Sequence, residues 1–353
     1  MPVWPRITHF SGIFAIMALS NAIVPVLPAY SDQTSWTGAI YAAYFLGAFL
    51  STLPAGILSD RFGRIALMRT GLAMTVLSGA VLIHPGSAAI ACTARLIEGI
   101  GAGLFVVPAM AAVNSEADHE KLSGYFLALL NAGLVLGLVA AGFLAAMLDM
   151  PGAGVFLFTA LAIIPMATSL VTKETRAPPA GHDRAALKAL FVRYRWVLYS
   201  SVVLIGITGV ATSLYPEFSG ATADRAGLWI AAMSIATIVT VLVVSRFPFN
   251  DIRGIQVSSV LMAAGVILSF FTPAGFLVLG ALAGVVMIAQ MEILSAVREH
   301  QGIAMGLFST SSYLGMALLP LLAGFIAEGA GFFIAFMVTA LSALTVTFTV
   351  SRE

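Results

Sequence analysis

Charge is the scarcest thing in this chain. Asp, Glu, Lys and Arg make up 9% of its 353 residues, where a soluble domain carries roughly 25%. That excludes a soluble globular fold of ordinary composition. Cysteine is nearly absent as well: Cys92 stands alone inside an apolar run, so no intrachain disulfide can form and packing is its plain role. The five histidines, His9, His84, His119, His182 and His300, fall at the ends of apolar runs or between them. No H-E-x-x-H, G-x-S-x-G or P-loop pattern occurs, which leaves intramembrane metal or serine chemistry without residues and a nucleotide-driven pump without its phosphate cradle. An enzyme is therefore not expected, and neither is a cofactor, a metal or a nucleic-acid partner. The net charge of +1 by itself argues neither for nor against an acidic partner.

What the chain has in abundance is apolar surface: 60% of its residues are hydrophobic, and the mean hydropathy is +1.01. A bilayer core takes about 20 apolar residues per helix, and lipid tolerates no open sheet edge, so the expected class is an all-α integral membrane protein. Apolar runs lie near 7–29, 36–58, 65–84, 88–112, 122–147 and 152–172, then near 195–215, 226–245, 254–272, 275–296, 302–327 and 331–350. These twelve expected transmembrane helices fall in two sets of six, parted by the polar stretch "TKETRAPPAGHDRAALKALFVRYR" with its Pro-Pro-Ala-Gly turn signal. The expected organisation is an N-terminal six-helix bundle over 1–172, a cytoplasmic linker over 173–194 and a C-terminal six-helix bundle over 195–353. The first run is span-length and ends without a small-residue cleavage site, so it reads as a span rather than a signal peptide.

Placing the N-terminus inside puts all but two of the 17 Lys and Arg residues in inner segments; the exceptions are Arg225 in an outer loop and Arg95 within span four. Cytoplasmic loops are enriched in these residues, so both termini are expected in the cytoplasm of a cell (plasma or inner) membrane. Trp4, Trp36, Trp196 and Trp229 fall at span starts, where interfacial aromatics belong. The two halves also resemble each other. Aligning residue 124 with 306 sets "GYFLALLNAGLVLGLVAAGFLA" over "GLFSTSSYLGMALLPLLAGFIA", with identities at Gly124, Phe126, Gly133, Leu136, Ala141, Gly142, Phe143 and Ala145. Two six-span repeats handling a solute between them is the plan of a secondary transporter. A channel would more often assemble short subunits around a pore.

The densest cluster of charge is "AGILSDRFGRIALMRTG", between spans two and three on the inner side. Gly56, Asp60, Arg61, Gly63 and Arg64 in "GILSDRFGR" resemble the G-x-L-x-D-R-x-G-R signature of the major facilitator superfamily. A positive-inside loop accounts for the arginines alone. Gly63 permits a tight turn, and Gly56 is expected to let a neighbouring helix approach. Asp60 sits beside the negative end of its own helix and calls for an outside partner. The resemblance implies that it meets the start of span eleven, near Gln301 and Gly302, as part of a conformational switch on the cytoplasmic side. "SNAIVPVLP" in span one is similar to the Pro-x-x-Pro ending of the superfamily's drug-efflux branches, and Pro25 and Pro28 should bend that helix. Those branches often carry a span-one carboxylate, where this chain offers Ser20 and Asn21. "RLIEGIGAG" in span four resembles the R-x-x-Q-G-x-G-A motif, with Glu98 in place of glutamine. "AGLVLGLVAAGF" in span five partly resembles an antiporter motif, with Leu138 where its proline should be.

Arg95 and Glu98, three apart on one helix face, are the leading proton-coupling candidates, because intramembrane charges usually face a cavity or an ion path. A neutralised pair that only ties helices together stays open. Glu292 is a further candidate, with snorkelling to the inner interface as its alternative. Substrate-cavity candidates are Asn21, Tyr41, Tyr44, Thr208, Thr212, Tyr215, Ser309, Ser312 and Tyr313; hydroxyls that merely bond the preceding helical turn are the competing reading. The expected function is a monomeric secondary transporter moving a small amphipathic solute by alternating access, with proton-coupled efflux (antiport) as its mode. Its partners would be the small-molecule substrate, protons and the lipid bilayer. An importer or facilitator of the same fold, or a gradient-independent lipid scramblase, is the alternative.

Overall fold

The computed structural model describes residues 3–116, 118–173, 184–247, 249–295, 297 and 301–350. Among these residues there is no strand. The helices are α1 (Val3–Ala22), α2 (Thr34–Phe62), α3 (Arg64–Leu82), α4 (Ala88–Asn114), α5 (His119–Leu148), α6 (Ala153–Val171), α7 (Arg184–Arg193), α8 (Arg195–Phe218), α9 (Ala223–Val244), α10 (Asp251–Phe271), α11 (Ala274–Ser295), α12 (Gln301–Ala330) and α13 (Phe332–Thr349). Eleven are long and apolar enough to cross a bilayer. A twelfth candidate is a bent pair: α1 gives way to a 3-10 segment, Val24–Tyr30, at a bend of 46°, and the two pass the same test only together. Pro25 and Pro28 lie in that segment; each lacks the N–H an α-helix needs, so the chain turns where the sequence places them. The short α7 lies inside the expected linker. "RAALKALFVR" is built from good helix formers, and Ala186 and Leu190 give it a buried side.

Packing divides the chain into two compact units. One comprises 1–32, 43–182 and 221–228; the other comprises 33–42, 183–220 and 229–353. The first turns of α2 therefore belong with the second unit, and the start of α9 belongs with the first. Within the first unit α1 packs on α5 and α6, and α3 packs on α4 and α6. Within the second, α8 packs on α12 and α13, and α10 packs on α11 and α13. The wiring is the same in both, as the repeat at offset 182 implies. It extends to single glycines: a Cβ on Gly133 would stand 2.6 Å from the Phe14 carbonyl oxygen, and one on Gly315, 182 residues on, 2.8 Å from the Val202 carbonyl carbon. Water cannot drive helices together inside lipid, so such small-residue strips supply the close contact that dispersion requires. Leu77, Phe143, Leu170, Phe271 and Phe348 point outward and stay exposed, as lipid-facing side chains do.

Candidate functional site

Span four shows how local sequence builds the site. Gly99 faces the backbone of α2: a Cβ there would overlap the Tyr44 carbonyl oxygen and stand 2.7 Å from its carbon and 3.0 Å from Ala48 N. One on Gly103 would stand 3.0 Å from Ser51 Cβ, and one on Gly47 2.8 Å from Ile100 N. Two helices thus meet almost backbone to backbone, and α4 carries Glu98 directly before the contact and Arg95 one turn before it. Arg95 Nη1 donates to Glu98 Oε2 at 2.9 Å, with both side chains 1% exposed. The Tyr44 ring, brought over by the same contact, lies 4.5 Å from the guanidinium carbon, within cation–π range. Arg95 Nε and Glu98 Oε1 are buried with no hydrogen-bond partner. The pair is incompletely satisfied, with one donor on Arg95 and one acceptor on Glu98 left over.

The internal repeat shows what is particular about this site. Gly284 faces Thr237 as Gly99 faces Tyr44: its Cβ would stand 2.9 Å from the Thr237 carbonyl oxygen. In that register Gly280 and Ala283 occupy the places of Arg95 and Glu98. At these positions the charged pair belongs to one half only. A turn or two further on, Gly12 faces the Phe105 ring in the first unit, whereas Ser200 Oγ accepts from Gln290 Nε2 at 2.8 Å in the second. Gln290 is fully buried and its Oε1 has no partner.

The other sequence-selected residues are dispersed. Asn21 donates to the Leu134 carbonyl at 2.9 Å, tying α1 to α5. Thr208, Thr212 and Ser312 donate to the carbonyls of Ile205, Thr208 and Phe308 at 2.7, 2.8 and 2.9 Å, the local bonding that competes with a cavity role. Thr208 also lies 3.8 Å from Met316 Sδ. Tyr41 is buried, with its ring edge beside Gly209. Tyr215 sits in an aromatic cluster, its ring 4.7 Å from that of Phe276 and 5.5 Å from that of Phe218. Ser309 and Tyr313 are half-buried on α12, and Glu292 is exposed near the end of α11. Of the whole set, the structure brings together Arg95, Glu98 and Tyr44.

The segment that joins α2 to α3 and opens α3 works as a set of helix caps. Gly63 takes φ +94° before α3, a conformation that favours glycine. Arg64 Nη1 donates to the Ala111 carbonyl at 3.0 Å and to Ser115 Oγ at 2.9 Å, at the end of α4. Arg69 donates to the carbonyls of Ser169 and Thr172 at 2.8 Å and of Leu170 at 3.2 Å, at the end of α6. Cations belong at those negative helix ends. Along the sequence Arg69 reads only as topological charge, because α6 lies about a hundred residues further on. Gly56 departs from expectation: a Cβ there would meet only Val107 Cγ1 at an ordinary 3.9 Å, so no close approach depends on it. The side chains of Asp60 and Arg61 lie outside the described residues, and the switch-loop expectation for them stands as a sequence reading.

Two units of like helix wiring, with an ion pair buried in one of them, make this a multi-span membrane protein built on an internal repeat. The Major Facilitator Superfamily model matches residues 9–296, and the chain belongs to that superfamily. It is 24% identical over 350 residues to multidrug resistance protein 2 of Bacillus subtilis (strain 168), covering 89% of this chain and 86% of that one. It is 25% identical over 347 residues to the quinolone resistance protein NorA of Staphylococcus aureus (strain MSSA476), covering 89% and 88%. Among solved structures, the nucleoside transporter NupG (D323A mutant) aligns with a TM-score of 0.78 at 12% identity over 98% of this chain and 99% of that one. A D-xylose–proton symporter aligns at 0.74 and 14%, over 98% and 96%. At such identities the solved structures establish the fold alone.

Proposed function

We propose that this chain is a proton-coupled exporter of small amphipathic solutes, working as a monomer by alternating access in the cell membrane, with both termini in the cytoplasm. The observation that carries the reading is the buried Arg95–Glu98 pair with its two unsatisfied atoms. A charged pair sealed in a transmembrane unit is costly, and its proton affinity depends on how closely the partners are held. With Glu98 ionised, the pair is neutral and closed. With Glu98 protonated, the guanidinium keeps its charge against the Tyr44 ring and its attraction to the carboxyl weakens. A conformational change that alters the 2.9 Å spacing therefore exchanges a proton, and a substrate competing for either partner does the same. The relatives' names, multidrug and quinolone resistance, support export and an amphipathic cargo. The excess of Lys and Arg in alternate loops supports the orientation.

Glu98→Gln is the test, since it keeps the shape of the side chain and removes the titration. A quinolone is the first probe to use, in proteoliposomes with and without a pH gradient. The mutant should still bind the probe but lose the gradient dependence of its transport. If it remains fully gradient-driven, Glu98 is only a structural partner of Arg95. Import down the imposed gradient, or lipid movement with no gradient at all, would replace the exporter reading.

A further inference from the structure

The start of α2 is fastened inside the second unit by two carboxylates from distant helices. Residues 33–42 pack with that unit, and α2 continues from Ala43 in the first. The N–H groups of Trp36 and Thr37 turn back to the Gln33 carbonyl, so the N–H of Ser35 needs an outside acceptor. Glu328, near the end of α12, accepts it at 2.9 Å and is bonded by the Ser35 hydroxyl as well. The Thr34 hydroxyl donates to Glu217, near the end of α8. The second oxygen of Glu217 is buried with no partner. The fit beneath these bonds is close: a Cβ on Gly38 would stand 2.6 Å from the Pro320 carbonyl oxygen, and one on Gly324 3.0 Å from that of Thr34. Anions at a helix N-terminus are favourable, and charge-assisted bonds are the strong ones. No side chain larger than hydrogen at Gly38 or Gly324 keeps the surfaces apart. The contact is therefore a seated one held by polar bonds at its edge, suited to release as a whole.

We propose that Glu217 and Glu328 form a releasable latch that holds residues 33–42 on α8 and α12 and so gates the outer end of the transport path. Its consequence for transport rests on the alternating-access reading above; the latch itself does not. Losing either carboxylate frees the first turns of α2 to leave the second unit. Glutamine keeps the size of each side chain and removes the charge that strengthens the bond.

The reporter is Thr37→Cys in a Cys92→Ala background, because Thr37 is fully buried within the latched segment. Its rate of maleimide labelling is measured in detergent, without substrate or gradient. Glu217→Gln should raise the rate about tenfold, the loss of one charge-assisted bond, and Glu328→Gln, at a solvent-exposed carboxylate, by a smaller factor of about two to three. Ser35→Pro removes both Ser35 donors in the first helical turn, where proline is tolerated, and should raise the rate at least as far as Glu328→Gln. Combining the two should add nothing beyond Ser35→Pro alone, because that substitution already removes both Ser35 donors to Glu328. Unchanged labelling in both glutamine variants, or independent addition of Ser35→Pro and Glu328→Gln, overturns the latch. If either glutamine variant fails to fold, Ser35→Pro with both carboxylates intact decides the matter alone. Raised labelling with quinolone transport unchanged from the parent would overturn the gating role, whereas raised labelling with no quinolone transport in the parent either would uphold the latch and refute the carrier reading instead.

Discussion

Adding one methyl group at Gly99 should loosen α2 from α4 and disturb the ion pair. The new carbon would overlap the Tyr44 carbonyl oxygen and stand 2.7 Å from Tyr44 C and 3.0 Å from Ala48 N. Non-bonded carbons prefer about 3.5–4.0 Å, so the helices must part by roughly 1 Å. The obstructing atoms are backbone and cannot rotate aside. Overpacking of this kind costs about 1–3 kcal/mol. Alanine also favours the helix over glycine by about 1 kcal/mol, which masks part of that cost. Gly124 in α5 supplies the control, since a Cβ there meets nothing within 4 Å. Because the propensity gain is common to both sites, the difference between Gly99→Ala and Gly124→Ala isolates the overlap and should be about 1–3 kcal/mol. Melting in one detergent measures it: Gly124→Ala should melt at or above the parent, and Gly99→Ala below it. Since the displaced residue is Tyr44, whose ring lies 4.5 Å from the Arg95 guanidinium, Gly99→Ala should also alter the gradient dependence of transport. Equal melting temperatures for the two variants would refute the close-packing argument.

Three further outcomes are expected. Arg95→Leu alone should destabilise the protein by about 3–5 kcal/mol, since it strands a buried carboxylate, and adding Glu98→Leu should restore most of that; strictly additive losses in melting experiments would show that the two side chains do not act as a pair. Arg69→Gln removes the cation from the end of α6 and should cost about 1–2 kcal/mol, read as a lower melting temperature; an unchanged value would show those bonds to be idle. Impermeant thiol reagents should reach single cysteines at 185, 188 and 189 from the cytoplasmic side and those in 219–222 from the outside, and the reverse pattern would invert the topology.

Much of the fold was open to reading because lipid imposes a simple rule. A helix that must satisfy every backbone group internally needs an apolar run of fixed length, so runs and charges mark spans and loops directly. The bend after Ala22 was legible for a similarly local reason, since proline has no N–H to give. The site was legible in part. Arg95 and Glu98 are conspicuous as charges in an apolar run, and their spacing puts them on one face whatever surrounds them.

Tyr44 could not be assigned from sequence, because its place over Arg95 depends on how closely α2 approaches α4. The same holds for Arg69 at the end of α6, for Ser200 with Gln290, and for Glu328 on Ser35, 293 residues apart. By itself, then, the sequence determined the spans, the two-fold repeat, the breaks and the scarce charges, all properties of a segment in a given solvent. Tertiary structure decided which face meets which, that the charged pair has no counterpart at the matching positions of the second half, and which carboxylate caps which helix. Those depend on packing across long chain separations, where a missing side chain on one helix sets the position of a polar group on another.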